Sequence, residues 1–382
     1  MRELENVNID ENQIIQMNKI YGILKAVVKI ELNSGIEASG FFIQLNRNYK
    51  SFYGLMTNHH VISSKIVQNK EEIKIKYENK EKNFTIRLDP EERIILCLME
   101  ALKIDITIVE IIQKEKIKLD DSYFLYPDTD LGSYDQLLGK EIQIIQFPNG
   151  NNLSLSNGII LELAKEEDNF ENNTQNLFYH NAPTQEGSSG SPIVLKGQNT
   201  VLAIHKGTLK NDPTNIGIFI QEAIHIIEGF QRDGKGKEYY SNGNLKYEGN
   251  FKNDEYDGRG KYYFENGEYY EGDFEKGKKI GSGYIYKEGQ IIKEVKYDKD
   301  EMIEEKVLNN EEIEDENNNE NNNENNNENN NENDNSMNNN GNNFINKMFE
   351  NFATFVKNNF NWKCIGCGHS IQSHEPVEFG VL

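Results

Sequence analysis

At residues 185–194 the chain reads QEGSSGSPIV, a glycine- and serine-rich loop that runs into an apolar segment. Upstream, residues 56–62 read MTNHHVI and residues 104–109 read IDITIV. A histidine, an aspartate and a serine therefore follow or precede short apolar strands in that order, about 45 and 85 residues apart. Each stretch alone is a common turn or strand-end pattern. Together they predict one site assembled from three distant parts of the chain.

The residue types are those that acyl transfer to a serine requires. The Ser189 hydroxyl is a poor nucleophile at neutral pH and needs a nearby base. His60 can accept its proton and return it to a leaving amine. Asp105 would hold the imidazole in one tautomer and stabilise its protonated form. Gly187 permits a tight loop in which its own N–H and that of Ser189 point at a developing oxyanion.

The three motifs resemble the TNHHV, D-I-x-x-V and GxSGSP signatures of the trypsin-like serine proteases, over about residues 20–230. The resemblance is strongest to glutamyl endopeptidases and HtrA-like proteases. It implies a double β-barrel, and it makes the histidine directly before valine, His60, the catalytic one and His59 a structural one. Ser188 stands where trypsin has an aspartate that pairs with a freed N-terminus, so activation by that ion pair is not expected. Thr107 replaces a small apolar residue after Asp-Ile, and we expect it to be tolerated.

The same resemblance implies a pocket for the residue before the cut. Glutamyl endopeptidases use a threonine five positions before the nucleophile and a histidine on the following strand, which here are Thr184 and His205. A hydroxyl and an imidazole can both donate to a carboxylate, and Lys206 nearby would favour negative charge. Pro183 occupies the place where a trypsin-like pocket has an aspartate. We predict cleavage after Glu, or after Asp or Gln; the alternative is that His205 only hydrogen-bonds within its strand.

Short segments rich in Ile, Val, Phe and Tyr predict a mainly β protease domain at residues 15–231. Residues 221–230 have apolar side chains at helical spacing and predict a closing helix. The predicted strands are Gly22–Leu32, Gly40–Leu45, Glu72–Tyr77, Phe84–Leu88, Ile104–Ile112, Glu141–Phe147, Gly158–Leu163 and Val201–His205.

A glycine- and tyrosine-rich repeat follows at residues 234–298. YEGNF at residues 247–251 recurs as YEGDF at residues 270–274, with a period of about 23 residues. Each unit reads as an aromatic strand, a glycine turn and a second aromatic strand. The pattern resembles MORN repeats, which implies a flat stack of β-hairpins that contacts proteins or membranes. The alternative is a glycine-rich extension of the protease domain.

The C-terminal part has two segments of different composition. Residues 307–343 are rich in Asn and Glu and predict a disordered linker. Residues 344–382 begin with an amphipathic helical pattern that could dock on the folded domains, a partner or a lipid surface. The tail also carries Cys364, Cys367, His369 and His374, which could bind zinc, remain free or, for the cysteines, carry a lipid.

The chain has a formal net charge of −22, with much of the excess near residues 311–334. This charge argues against nucleic acid as the main partner. Met1–Gln16 lacks an apolar run typical of a signal peptide, no stretch is long enough to span a membrane, and there are three cysteines, so we expect an intracellular, cytoplasmic protein. The predicted function is a serine endopeptidase that needs no cofactor and acts on proteins or peptides. The alternative is a catalytically silent scaffold that binds partners through its repeats.

Overall fold

The computed structural model describes residues 20–308, except 48–49, 79, 130, 166–175 and 210–213. Of the linker predicted at residues 307–343, residues 309–343 lie outside the described residues, as do the predicted amphipathic helix and the cysteine- and histidine-containing tail. Within the described ranges, no helix is long and apolar enough to cross a membrane.

The first sheet has seven antiparallel strands in the order β5-β4-β1-β2-β3-β7-β6. In β4, alternation places one face inward: Ile73, Ile75 and Tyr77 are buried while the residues between them are more exposed. The strands are β1 (Val27–Leu32), β2 (Glu37–Arg47), β3 (Lys50–Thr57), β4 (Glu72–Tyr77), β5 (Lys82–Arg87), β6 (Ile95–Cys97) and β7 (Thr107–Glu110).

The second sheet also has seven strands, and it closes on itself because β12 pairs with both β9 and β13. Its order is β12-β9-β10-β11-β14-β13-β8, with β8 parallel to β13. The strands are β8 (Tyr126–Pro127), β9 (Glu141–Gln146), β10 (Ser154–Leu163), β11 (Leu177–His180), β12 (Pro192–Leu195), β13 (Thr200–Thr208) and β14 (Asn215–Phe219).

One apolar core lies between these two sheets. Phe41 and Met56 of the first sheet and Ile204 of the second belong to the same buried cluster as Ile224 and Ile227 of a helix. That helix, Gln221–Gly229, is the predicted closing helix. Besides a helical segment at residues 20–26, the described helices are α1 (Ser64–Gln68), α2 (Leu98–Leu102), α3 (Gln113–Lys116) and α4 (Gln221–Gly229), and short 3-10 turns occur at Asp121–Tyr123, Tyr134–Leu137 and Pro148–Gly150.

The predicted strand Gly22–Leu32 was wrong in its first half, because residues 20–26 are helical and only Val27–Leu32 is a strand. Ile23 and Ala26 lie three positions apart and are both buried in the core between the sheets. Residues with that spacing share one face of a helix. A short apolar run fits either period, and the shape of the core decides between them.

The third sheet is an antiparallel stack of seven consecutive strands that ends at Val307, beyond residue 298 where the predicted repeats end. The tyrosine of each YEGNF-like motif packs over glycines: the Tyr247 ring covers Gly260 and the Tyr270 ring covers Gly283. The rings are so close that a Cβ atom at either glycine would clash with them. This explains why tyrosine and glycine recur together. The strands are β15 (Gly234–Tyr239), β16 (Leu245–Lys252), β17 (Glu255–Tyr263), β18 (Glu268–Glu275), β19 (Lys278–Lys287), β20 (Gln290–Asp298) and β21 (Glu301–Val307).

The third sheet contacts the first sheet and helix α3 through polar side chains. Arg47 of β2 pairs with Asp254 in the turn between β16 and β17. The Gln113 side chain donates to the carbonyl oxygen of Ser241 at 2.8 Å.

The three sheets confirm the prediction of a mainly β protein, with two barrel-like sheets and a C-terminal hairpin stack.

Candidate active site

The pairing of two strands brings His60 and Asp105 together. Thr57, the last residue of β3, pairs with Thr107, the first residue of the antiparallel β7. The residues just after Thr57 and just before Thr107 therefore leave the sheet at the same end of the two paired strands. The Asn58 side chain donates to the carbonyl oxygen of Asp105 at 3.0 Å and ties the two loops together.

Both oxygens of the Asp105 carboxylate engage His60. Nδ1 of His60 lies 2.8 Å from Oδ2, and the His60 backbone N–H donates to Oδ1 at 2.9 Å. The Asp105 side chain is 6% exposed and the His60 side chain 48%. Burial acts to raise the pKa of Asp105, but the hydrogen bonds and charge of His60, with a further contribution from Lys206, outweigh it and hold this pKa below its ordinary value. His59 lies elsewhere, with Nδ1 3.4 Å from the Thr107 hydroxyl.

The loop before β12 presents Ser189. Gly187 in this loop has φ = +84°, and a Cβ atom there would lie 2.8 Å from the carbonyl oxygen of Phe147. The Glu186 carbonyl oxygen accepts from the Asn149 N–H at 2.5 Å. Within the described residues, the N–H groups of Gly187 and Ser189 donate no hydrogen bond. Two backbone donors beside Ser189 are thus available to a ligand.

Ser39 of β2 fixes this loop against the first sheet. Its hydroxyl donates to the Gly187 carbonyl oxygen at 2.8 Å and accepts from the Phe147 N–H at 3.0 Å. Its backbone N–H donates to the Ser189 carbonyl oxygen at 2.9 Å. The buried Ser188 hydroxyl accepts from the Gln185 N–H at 3.1 Å, so the loop carries its own internal bond where trypsin has an aspartate.

The Ser189 hydroxyl bonds a backbone group of β13. It donates to the Lys206 carbonyl oxygen at 3.1 Å, and within the described residues it makes no hydrogen bond to His60. The structure therefore brings His60 and Asp105 into direct contact. Ser189 does not bond either of them, and its hydroxyl instead bonds the backbone of Lys206.

Lys206 is the extra residue of a β-bulge. The register of β13 against β14 shifts between His205, opposite Gly217, and Gly207, opposite Ile216. The Lys206 ammonium nitrogen lies 4.0 Å from Asp105 Oδ2. We predicted from the sequence that Lys206 would add positive charge to the substrate pocket; its side chain instead lies beside Asp105, because neighbouring strand residues point to opposite faces and a bulge re-aims its extra residue.

Thr184 contacts the start of β14. Its hydroxyl donates to Asn215 Oδ1 at 2.7 Å, and the hydroxyl of Thr208 donates to the same oxygen at 2.6 Å. The Asn215 amide donates in turn to the Ala182 carbonyl oxygen at 2.8 Å. Two hydroxyl groups therefore converge on one buried amide.

His205 is buried against a second histidine. Its Nδ1 lies 3.3 Å from Nε2 of His180 on β11, and the two rings meet edge to face. Burial lowers the pKa of His180 to about 4. Burial, with the charges of His180 and His60, lowers the pKa of His205 to about 3. Both imidazoles are therefore neutral at pH 7.

Thr184 and His205 share no hydrogen bond within the described residues, but they are linked through neighbours. Asn215, which binds Thr184, is the cross-strand partner of His180, which contacts His205. Sequence reasoning missed Ser39, His180, Thr208 and Asn215. Their polar character inside apolar strands was the available signal, but their partners lie on strands distant in sequence.

The family comparison adds to this geometry. Residues 38–204 match the family model described as trypsin-like peptidase domain, and residues 231–245 and 247–269 match the MORN repeat. The chain contains a trypsin-like peptidase domain followed by MORN repeats. His60, Asp105 and Ser189 lie within the residues matched by the peptidase model, and the MORN matches fall largely on the third sheet.

Solved structures of proteases are also similar to this chain. The inactive form of the Rv3671c protease, from M. tuberculosis, is 16% identical with a TM-score of 0.40, over 56% of this chain and 93% of that one. Deg5 is 18% identical with a TM-score of 0.42, over 57% and 94%. A serine endoprotease from Yersinia pestis is 16% identical with a TM-score of 0.39, over 56% and 65%. No curated protein matches the chain.

Proposed function

We propose that this protein is an active serine endopeptidase, which cleaves proteins or peptides through an acyl-enzyme on Ser189. The observation that carries the proposal is the contact of His60 Nδ1 with the buried Asp105 carboxylate at 2.8 Å. An acceptor at Nδ1 leaves Nε2 of the neutral ring with a lone pair, which is the atom a serine base needs. This arrangement favours an active enzyme over a scaffold without turnover.

In the first half of the reaction, the Ser189 hydroxyl turns from the Lys206 carbonyl oxygen to His60 Nε2. His60 takes the hydroxyl proton as Ser189 Oγ forms a bond to the substrate carbonyl carbon. The resulting oxyanion accepts from the N–H groups of Gly187 and Ser189. His60 then returns the proton to the leaving amine as the C–N bond breaks, and the acyl-enzyme remains.

In the second half, water attacks the acyl-enzyme. His60 accepts a proton from this water as the new C–O bond forms, and it passes the proton to Ser189 Oγ as the ester bond breaks. The loop that supplies the oxyanion donors is held by the Ser39 hydroxyl and by the bond from Asn149 to Glu186. These contacts support a loop that needs no ion pair to a freed N-terminus.

The test is reaction with a fluorophosphonate probe, which labels only an activated serine. We expect the parent protein to be labelled and Ser189→Ala to remain unlabelled. Mass spectrometry of the labelled peptide should place the adduct on Ser189. Absence of labelling on a folded parent protein would contradict the proposal and would favour a scaffold that binds partners without turnover.

We also propose that the pocket prefers Glu before the cut, with Asp or Gln as weaker alternatives. If His180 Nε2–H donates to His205 Nδ1, the neutral His205 ring carries its proton on Nε2, where it can donate to a substrate carboxylate or carboxamide oxygen. The hydroxyls of Thr184 and Thr208 can rotate from Asn215 to the same oxygen. This would give the carboxylate several hydrogen bonds inside a buried site.

Peptides that differ only in the residue before the cut test this preference. We expect kcat/KM to be highest for Glu and lowest for Arg and Leu. In Thr184→Val, kcat/KM for the Glu peptide should fall about 10- to 100-fold, because a hydrogen bond to a charged group is lost. The Ala peptide, which leaves the hydroxyl unused, is the control and should change little. A parent enzyme that prefers Arg or Leu would rule out the acidic pocket.

Beside the substrate of the peptidase domain, we propose a second kind of partner, a protein or a membrane surface that binds the MORN repeats. Tyrosine rings lie side by side across neighbouring strands of the third sheet: Tyr269 stacks on Tyr286 with ring centroids 4.6 Å apart, and Tyr263 lies tilted against Tyr269 at 5.3 Å. We propose that the repeats bring the peptidase domain to this partner.

A further inference from the structure

Lys206 is a half-buried residue whose enclosed ammonium group the mechanism above does not use. Its side chain is 16% exposed, and its ammonium nitrogen has no hydrogen-bond partner within the described residues. Burial lowers the pKa of this ammonium group, and the charge of Asp105 acts to raise it. A lysine is costly to bury unless an opposite charge compensates it. The nearest such charge is the Asp105 carboxylate.

Lys206 and His60 share one oxygen atom. Oδ2 of Asp105 lies 2.8 Å from His60 Nδ1 and 4.0 Å from the Lys206 ammonium nitrogen. When His60 is neutral, Asp105 and Lys206 compensate each other. When His60 takes a proton, two cations face a single carboxylate, and the second cation disfavours the protonated ring.

Resting on the proposed function, we propose that Lys206 is a positioning residue that acts through Asp105 and sets the pH above which His60 is a free base. The bulge between His205 and Gly207 gives this role its geometry, since the same residue directs its carbonyl oxygen to Ser189 and its ammonium group to Asp105. The peptidase would then work at a lower pH than it would with a neutral residue at this position.

We take Lys206 as the cation that faces Asp105 together with protonated His60, and the other titratable groups around the site are three histidines. His205, the preceding residue of β13, and His180 behind it are neutral at pH 7 because they are buried. His59, on the loop that carries His60, lies against the Thr107 hydroxyl. The backbone donors at Gly187 and Ser189 carry no net charge.

The test compares Lys206→Met, which removes the charge but keeps an unbranched side chain, with Lys206→Arg, which keeps it. In Lys206→Met, the acid limb of the pH profile of kcat/KM should shift to a pH about one unit higher. At a fixed pH on that limb, kcat/KM should therefore fall about tenfold. Lys206→Arg should keep the limb at its parent position. NMR titration of the His60 ring, assigned with His60→Gln, should move in the same direction as the limb.

The outcomes separate this inference from the proposed function. An unmoved acid limb and an unmoved His60 titration in folded Lys206→Met would overturn it. A uniform loss of activity at every pH, with the limb in place, would also overturn it, since that pattern indicates a merely structural role. If the parent fails to react with the fluorophosphonate, the proposed function fails, and the His60 titration still decides the role of Lys206.

Discussion

Replacing His60 with alanine is expected to lower kcat for peptide hydrolysis by about 10⁵- to 10⁶-fold. His60 is the group that accepts the Ser189 proton and returns it to the leaving amine, so both halves of the reaction lose their proton carrier. KM should change little, because the ring lies beside the reacting bond rather than in the predicted pocket. The measurement is steady-state hydrolysis of a Glu-containing peptide by purified protein.

The neighbouring His59 offers a matched control. It has the same chemistry and lies one residue away, but its Nδ1 faces the Thr107 hydroxyl rather than Asp105. His59→Gln is expected to keep kcat within about tenfold of the parent. Equal losses in the two variants would mean that the loop needs both imidazoles for its structure, and the assignment of His60 as base would fail.

Asp105→Asn is expected to lower kcat by about 10⁴-fold. The amide is nearly the same size as the carboxylate, but it can present an N–H to His60 Nδ1 and so favour the tautomer whose Nε2 carries a proton. That tautomer cannot accept the Ser189 proton. The substitution also leaves Lys206 without its compensating charge. The measurement is kcat for the same peptide, with circular dichroism to verify folding.

Asp89 provides the control for Asp105. It is also buried, at 6% exposure, and its carboxylate lies 3.0 Å from the Lys70 ammonium group. It thus shares burial and a lysine partner with Asp105 but has no histidine contact in the described structure. Asp89→Asn should leave kcat nearly unchanged, whereas a loss near 10⁴-fold would show that any buried aspartate charge is needed for folding of the site.

Much of the architecture follows from local sequence alone. Alternating apolar residues in β4 specify a half-buried strand, and the recurring Tyr-x-Gly pairs specify hairpins in which Tyr247 and Tyr270 pack over glycines. The order of His60, Asp105 and Ser189 predicted a shared site, and the first two are in contact. These features can be predicted from sequence because each depends on a motif or a repeat pattern that spans only a few neighbouring residues.

The strand prediction for residues 22–26 failed for a related reason. The five residues 22–26, GILKA, carry too little periodic information to separate a strand from a helix. The helical form buries Ile23 and Ala26 against residues from both sheets, so the choice depends on a core that is assembled from segments distant in sequence.

The sequence by itself determined the mainly β class, the hairpin repeat and the three residues on which the proposed chemistry depends. Only the tertiary structure decided that Lys206 faces Asp105 and that His205 contacts His180. The reason is physical: a side chain's residue type is local, but its direction depends on register, and a one-residue bulge in β13 re-aims Lys206. Cross-strand partners such as His180 and Asn215 are likewise set by long-range pairing, which no local pattern specifies.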